Sequence, residues 1–386
     1  MSNGETFKVV IAGAGVAGLE AAFALRELAG EAVDVTILAP NERFSYRPLA
    51  VGEPFGDEPA PSYALDRLIA ASGARRVNAA FRWLERDIRV VHASNGETLR
   101  YDALLLAIGA RQSSRQPFVT TIDPVTLGAQ LQKLVYEVEH GLARQIAFIA
   151  PLGFSWQLPL YELPLMLAAR ARQAGARPQI TIITADPAPM SLFGEQASNA
   201  VSDLLSEARV SFLGGASPRV NGPNSITRIG VRVPLHADRI IALPELCAPD
   251  LPGLPAHARG GFVAVDRHAQ AVGVEHIFAA GDITAGPLKH GSLAAHQADA
   301  AAARIATLAG ARGVADPAPA MADAMLIGGP RPLYIRAQIV GGMAVTSTVS
   351  DRPMSDPPAK LNASYLGPAL AECEPLPPAA AGPRES

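Results

Sequence analysis

Short apolar runs bounded by glycine alternate with longer helical stretches at the beginning of the chain. Residues 9–12, Val-Val-Ile-Ala, are apolar and rich in β-branched side chains, which predicts a buried parallel strand. Residues 16–29 predict a helix, and residues 33–38 predict a second strand. Strand, helix and strand within about thirty residues predict a βαβ unit.

Two further groups of strands and helices are predicted along the chain. Residues 145–150, 160–173 and 179–184 predict a second strand, helix and strand. Apolar strands are then expected at 261–265 and 275–280, followed by a helix from Ser292 to about Ile305.

The last part of the chain has a different pattern. Residues 333–340 and 343–350 flank Gly341-Gly342, which is a two-residue hairpin signal. A short helix over 360–370 has only a modest apolar face, which argues against a stable membrane anchor.

These patterns predict an α/β fold with two Rossmann-like, three-layer dinucleotide-binding domains, the second inserted in the first, and a small C-terminal cap. The expected boundaries are a split first domain over 1–115 and 255–312, a second domain over 116–254, a small domain over 321–370 and a disordered tail over 371–386.

Glycines follow the first predicted strand at the spacing of a phosphate-binding turn. Gly13 permits the tight turn, Gly15 lets the backbone approach a pyrophosphate, and Gly18 lets the helix lie close to the strand. Ala17 belongs to the same candidate site. A diphosphate at this turn would be stabilised by the positive end of the helix dipole.

An acidic residue is expected about twenty positions further on, where it would bind the adenosine ribose. The chain has Ala39-Pro40-Asn41-Glu42 there, so Asn41 or Glu42 substitutes for it, or no residue does. Loss of a hydrogen bond from a charged partner costs roughly 1.5–3 kcal/mol, so dinucleotide affinity should fall without vanishing.

A second candidate lies far downstream, where an apolar strand ends in Gly281-Asp282. A carboxylate at the end of a strand can accept hydrogen bonds from a polyol, and the helix that follows would direct its dipole towards a reduced flavin. The alternative is that Asp282 only caps a turn.

The early glycine turn, Ala-Ala-Gly-Asp near residue 280 and the segment 101–110 between them resemble the two-dinucleotide-binding-domain, FAD-dependent pyridine nucleotide-disulfide oxidoreductases. The branch of this family that the sequence resembles most contains sulfide:quinone oxidoreductases, flavocytochrome c sulfide dehydrogenases and type II NADH dehydrogenases. The resemblance spans roughly residues 7–310. It implies that the glycines hold the FAD pyrophosphate, that Asp282 holds the ribityl chain, and that the strand ending near Gly109 passes the nucleotide, although Ile108 stands where threonine is usual.

The second unit departs from the family pattern. Only Gly153 remains of the fingerprint, Trp156 adds bulk at the turn, and Pro159 fits only the first turn of a helix. A second pyridine-nucleotide site is therefore not expected. The segment 159–162, Pro-Leu-Tyr-Glu, resembles the sulfide-oxidising branch.

The sulfide chemistry of that branch requires paired redox thiols. Cys247 and Cys373 are too far apart in the sequence to form such a motif, so this mechanism is not carried over and the role of both cysteines stays open.

Candidate catalytic residues follow Asp282. A cation at Lys289 would stabilise an anionic reduced flavin, and His290 could relay a proton, with Gly291 beside them at the cofactor. Arg47 and Pro48 belong to a loop that relatives bring over the flavin. The alternative for both segments is a solvated loop. The histidines lack metal-ligand spacing, so no metal is expected.

Composition narrows the classes of partner. With 33 basic and 36 acidic residues the net charge is only −3, which argues against nucleic acid as a partner. The chain begins without a basic and then apolar signal segment, and no apolar run reaches the roughly eighteen residues of a membrane span. A cytoplasmic protein is expected, with peripheral membrane contact and oligomeric state left open.

The sequence therefore predicts an FAD-dependent oxidoreductase that passes electrons from a small donor through the flavin to an acceptor such as a quinone. Two alternatives stay open: an NAD(P)H-dependent flavin reductase or dehydrogenase, and a flavin-binding regulatory protein with little turnover.

Overall fold

The first structural unit is built around a parallel sheet. The computed structural model describes residues 6–113, 116–123, 126–151, 153, 156–255, 259–355 and 359–377. The first part of the chain, up to the connection that leads into the second unit, contains β1 (Phe7–Ala12), α1 (Val16–Ala29), β2 (Val33–Leu38), β3 (Arg43–Ser45), β4 (Ser62–Ala64), α2 (Leu65–Ala71), β5 (Arg75–Val77), β6 (Phe81–Glu85), β7 (Val90–Ala93), β8 (Thr98–Arg100), β9 (Ala103–Leu106) and β10 (Arg111–Gln112). Short 3-10 helices lie at Gly30–Ala32 and Arg47–Phe55.

A second parallel sheet follows. The second unit and the return to the first contain β11 (Thr120–Thr121), α3 (Leu127–Glu139), β12 (Gln145–Ile149), α4 (Leu158–Gln173), β13 (Gln179–Ile183), α5 (Glu195–Glu207), β14 (Val210–Leu213), β15 (Pro218–Gly222), β16 (Ser225–Arg228), β17 (Val231–His236), β18 (Arg239–Ala242), β19 (Leu246–Cys247), β20 (Ile277–Ala279) and α6 (Gly291–Leu308). Further 3-10 helices lie at Ser191–Phe193 and Arg259–Gly261.

The sheet of the first unit has the strand order β5-β2-β1-β9-β20, with all neighbouring strands parallel. One face packs against α1 and α6, where Ile11, Leu19 and Ala298 are fully buried. The other face packs against the antiparallel sheet β6-β7-β8 through residues such as Leu104 and Val91. Strands apolar on both faces are buried between two layers, which confirms the predicted α/β class.

The second sheet has the order β11-β18-β12-β13-β14 and is also parallel. Strand β20 follows the second unit in the chain but joins the sheet of the first unit. The first unit is therefore built from two separate segments of the chain. The two connections between the units, β10 and β19, pair with each other in antiparallel fashion, and Cys247 is exposed on this pair.

A three-stranded antiparallel sheet and a short helix complete the described structure: β21 (Met321–Leu326), β22 (Leu333–Val340), β23 (Met343–Ser350) and α7 (Leu366–Glu372). The predicted hairpin has the expected limits. Gly341 and Gly342 both have positive φ, at 59° and 84°, as a two-residue turn between strands requires.

Three local predictions differ from the structure. Residues 261–265 form no continuous strand; Val263 and Val265 make isolated bridges to Thr284 and Ala271, because the positive φ of Gly261 bends the chain there. The final helix begins at Leu366, since the segment before it is fixed by side-chain contacts instead.

Residue 371 is too early a start for the predicted disordered tail. Helix α7 continues to Glu372, and the amide of Leu376 donates to the carbonyl of Ser62 at 2.7 Å. Residues 378–386 lie outside the described residues. Within the described ranges, no helix is long and apolar enough to cross a membrane.

Candidate functional site

The glycine turn after β1 contains two glycines that packing requires. Gly13 has φ of +102° and donates its amide to the Leu38 carbonyl at 2.9 Å. A Cβ at Gly13 would overlap the Ala107 carbonyl, and one at Gly18 would overlap the Gly13 carbonyl. Both residues are therefore glycine because backbone approaches them closely.

Gly15 differs from its two neighbours. A Cβ built there meets no atom within 4 Å, so the turn is open on this side. Gly15 is also the N-cap of α1, where no side chain caps the helix and no acidic residue lies in the first turn of the described structure. The free amides and the positive helix end form a concave surface that fits an anionic pyrophosphate.

The carboxyl end of β20 adjoins this turn. Gly281 has φ of +83°, and a Cβ built on it would lie 3.4 Å from the Cβ atoms of Ala17 in α1 and Ala294 in α6. Its amide donates to Gln297 Oε1 at 2.8 Å. The structure thus brings together the early glycine turn and Asp282, which are more than 260 positions apart in the chain.

Asp282 is partly buried and is contacted from the second unit. The indole Nε1 of Trp156 donates to Asp282 Oδ2 at 2.8 Å. Burial raises the pKa of the Asp282 carboxyl, while the Trp156 hydrogen bond and the charges of Lys289 and Arg47 lower it. Sequence reasoning identified both Trp156 and Asp282 but not their contact.

Lys289 lies beneath the loop that follows β20. Only 3% of the residue is exposed, its Nζ donates to the carbonyls of Asp282, at 3.0 Å, and Thr284, and it lies 4.1 Å from the centre of the Phe262 ring. Burial lowers the pKa of this ammonium to about 8, although Asp282 opposes the shift. These contacts fix the loop that presents Asp282.

His290 caps helix α6. Its Nδ1 accepts a hydrogen bond from the Ser292 amide at 3.2 Å, and its ring packs edge-on against Phe193. Burial, followed by the positive charge of Lys360, lowers the pKa of His290 to about 4. At neutral pH the imidazole is therefore uncharged, as an acceptor at an N-cap requires.

The remaining candidates occupy different environments. Asn41 is exposed, and its carbonyl accepts from Arg76 Nη2 at 2.6 Å. Arg47 is exposed, and the Pro48 carbonyl accepts from Lys360 Nζ at 3.0 Å.

Two candidate glycines, Gly109 and Gly291, differ in the space around them. Gly109 has φ of +72° with open space around it, as a nucleotide-facing turn permits. A Cβ at Gly291 would lie 2.6 Å from Leu361 Cδ1, so this position is filled by the C-terminal segment.

A buried ion pair was not predicted. Lys360 Nζ lies 2.7 Å from Glu162 Oε1, with both side chains at most 2% exposed. Glu162 Oε1 also accepts from the Ile327 amide at 3.0 Å, and burial raises the pKa of this carboxyl while Lys360 lowers it. The sequence carries no signal for this pair, because lysine and glutamate are surface residues by type.

The turn after β12 carries the degenerate fingerprint. Gly153 has φ of +142°, while residues 152, 154 and 155 of this predicted segment lie outside the described residues. Tyr161 is fully buried and its hydroxyl accepts from the Met190 amide at 3.0 Å, which is a structural contact. Asp186, shortly after β13, accepts from Gln157 Nε2 at 3.2 Å. Within the described residues, no group of three or more His, Cys, Asp or Glu side chains could hold a metal ion.

Comparison with known proteins agrees with this arrangement. Residues 7–133 match the family described as pyridine nucleotide-disulphide oxidoreductase. An NADH dehydrogenase-like protein of Mycobacterium tuberculosis (strain CDC 1551 / Oshkosh) is 28% identical over 294 residues, covering 72% of this chain and 73% of the relative.

Two solved structures share the fold. The sulfide:quinone oxidoreductase of the hyperthermophilic bacterium Aquifex aeolicus matches with a TM-score of 0.77 and 20% identity, over 90% of this chain and 87% of that one. Putidaredoxin reductase, in its covalent complex with putidaredoxin, matches with a TM-score of 0.60 and 19% identity, over 87% and 82% of the two chains. These findings confirm the predicted resemblance to the pyridine nucleotide-disulphide oxidoreductases, and the chain is an FAD-dependent oxidoreductase.

Proposed function

We propose that the protein passes electrons from a small-molecule donor through bound FAD to an acceptor such as a quinone. The observation that carries the proposal is the close approach of Gly281 to α1, where a Cβ built on Gly281 would lie 3.4 Å from the Ala17 Cβ, because it brings the strand-terminal Asp282 near the open Gly15 turn. One extended dinucleotide can contact both, with its phosphates at the turn and its polyol at the acid.

The residues divide into roles along that ligand. Gly13, Gly15, Ala17 and Gly18 form the phosphate turn, and Asp282 accepts hydrogen bonds from the ribityl chain. Six further positions are proposed to lie around the cofactor: Asn41 at the ribose, Arg47 and Pro48 in the covering loop, and Gly109, Gly281 and Gly291 in the turns beside it.

FAD supplies the electron chemistry when it is bound, and the chain supplies position and charge. Lys289 fixes the Asp282 loop and contributes a buried positive charge near it. His290 holds the start of α6; with a pKa of about 4 it is a neutral imidazole at pH 7 and only a weak base for the proposed proton relay.

The donor is proposed to lie outside the nicotinamides, because Trp156 occupies the turn where a second dinucleotide fingerprint would lie. Two observations favour the alternative of NADH. The first is that the mycobacterial relative is called NADH dehydrogenase-like. In addition, Asp186 follows β13, where an acid in this fold type can bind a ribose diol.

Anaerobic addition of NADH, NADPH, sulfide and reduced quinone to the FAD-loaded protein separates these functions. Bleaching of the visible flavin band by sulfide or reduced quinone, but not by the nicotinamides, is expected. Rapid bleaching by NADH or NADPH would establish the alternative donor. A flavin that no donor reduces would instead indicate a regulatory flavin-binding protein.

The flavin site has its own test. Asp282→Asn should purify folded with much less yellow cofactor, because the amide is a weaker acceptor for polyol hydroxyls. Full retention of colour would mean that the carboxylate serves only the protein's internal contacts.

A further inference from the structure

Trp156 links the two units at the candidate cofactor site. It precedes α4 of the second unit, whereas Asp282 follows β20 of the first. The 2.8 Å hydrogen bond from its indole Nε1 to Asp282 Oδ2 joins residues 126 positions apart. A tryptophan nitrogen only donates, so the contact is a bond to the acceptor oxygen of the acid.

The contact uses one oxygen of the carboxylate. Among the described residues, no hydrogen bond reaches Asp282 Oδ1, and the residue is partly exposed. A carboxylate has two oxygens and can accept several hydrogen bonds. Oδ1 is therefore available to a polyol hydroxyl while Oδ2 is held by the indole.

On balance the surroundings disfavour the ionised form of the Asp282 carboxyl. Burial raises the pKa of Asp282, and three groups oppose this: the Trp156 indole, Lys289 from the loop after β20, and Arg47 from the 3-10 helix. The indole is the strongest of the three. Its removal should make the acid easier to protonate and freer to rotate.

We infer that Trp156 is a positioning residue for FAD: it fixes the Asp282 carboxylate with Oδ1 directed to the cofactor polyol, so that the second unit contributes to flavin affinity. The inference rests on the proposed FAD site. It assigns the bulky residue of the degenerate fingerprint to the first nucleotide site rather than to a second one.

The primary test compares FAD dissociation constants of deflavinated variants. Trp156→Phe keeps an aromatic ring and removes the N–H donor, and we expect roughly tenfold weaker FAD binding. Trp83→Phe is the matched control, because Trp83 is the chain's other tryptophan and stacks on His92 at the surface. This control should bind FAD as the unchanged protein does.

A double-mutant cycle distinguishes positioning from general damage. In the Asp282→Asn background, Trp156→Phe should cause little further loss, since the two residues act through one contact. The pH above which FAD is retained should also shift upward in Trp156→Phe. Equal losses in both backgrounds, or an unshifted pH profile, would overturn the inference.

Fluorescence of the cofactor-free protein tests the contact between Trp156 and Asp282 independently of FAD. In Trp83→Phe, Trp156 is the only tryptophan, and its fluorescence should titrate with the Asp282 carboxyl. The titration should disappear when Asp282→Asn is added. If fluorescence does not respond to pH, the indole does not contact the acid and the inference fails.

The outcomes for FAD separate the two claims. Failure of the unchanged protein to bind FAD would reject the proposed site itself. Binding by the unchanged protein, with equal or tighter binding by Trp156→Phe, would reject only the positioning role, and tighter binding would mean that the indole competes with the cofactor.

Discussion

Glu162 of α4 and Lys360 of the C-terminal segment form a buried ion pair at 2.7 Å. The same ammonium donates to the Pro48 carbonyl at 3.0 Å, and Glu162 also accepts from the Ile327 amide. One pair of charges thus joins the second unit, the C-terminal sheet and the loop beside the candidate flavin site.

Lys360→Met should lower the free energy of unfolding by about 3–5 kcal/mol, because it leaves a buried carboxylate without its counter-charge. Urea unfolding at pH 7 measures this. Lys133→Met is the control, since Lys133 is 80% exposed and lies 3.8 Å from Glu137, so its loss should cost less than about 1 kcal/mol.

Adding Glu162→Gln to Lys360→Met should recover part of that stability, because neither charge then remains buried. Equal effects of Lys360→Met and Lys133→Met would mean that the buried pair contributes no more than a surface pair.

The glycine turn allows folding and cofactor binding to be tested separately. Gly15→Ala fits the backbone, with φ of −79°, and meets no neighbour, so stability should be nearly unchanged while FAD binding weakens by roughly tenfold or more. Gly18→Ala should lower stability by about 1–3 kcal/mol, because its methyl group overlaps the Gly13 carbonyl.

Thermal unfolding and FAD titration of both variants check this contrast. Unimpaired FAD binding by Gly15→Ala would show that the open side of the turn does not face the phosphates.

His290 should make stability depend on pH. Its pKa is lowered from 6.5 to about 4 in the folded chain, so between these values the unfolded chain binds more protons. The free energy of unfolding therefore rises with pH across this window, by on the order of 1–3 kcal/mol from this residue.

His290→Asn keeps a side-chain acceptor at the N-cap and removes the titration, so the slope between about pH 4 and pH 6.5 should decrease. Identical slopes for the unchanged protein and His290→Asn would contradict the capping role.

Lys289→Met separates a structural role from a catalytic one. Loss of the donor to the Asp282 and Thr284 carbonyls should lower the free energy of unfolding by roughly 1–3 kcal/mol and weaken FAD retention. A lower reduction potential of the remaining bound flavin is also expected, because the nearby positive charge is gone.

Urea unfolding and a potential titration measure the two effects independently. If Lys289→Met lowers the free energy of unfolding but leaves the flavin's reduction potential unchanged, Lys289 only holds the loop. An unchanged free energy of unfolding would contradict the position of Lys289 beneath that loop.

The amino-acid sequence by itself determined the strands and helices of both βαβ units and the hairpin at Gly341-Gly342. Helix α1 and strand β2 have the predicted limits, because apolar periodicity and glycine act on the backbone within a few residues. The family motifs likewise predicted the enzyme class and the cofactor, since they are short and keep their order along the chain.

Only the tertiary structure decided which distant residues meet. Nothing local to Trp156 indicates that its indole reaches Asp282, and nothing beside Lys289 indicates burial beneath a loop. Glu162 and Lys360 are nearly 200 positions apart, and each is an ordinary surface residue by type. Such contacts depend on how whole sheets and helices pack, because burial and charge pairing are set by the complete set of neighbours rather than by spacing in the chain.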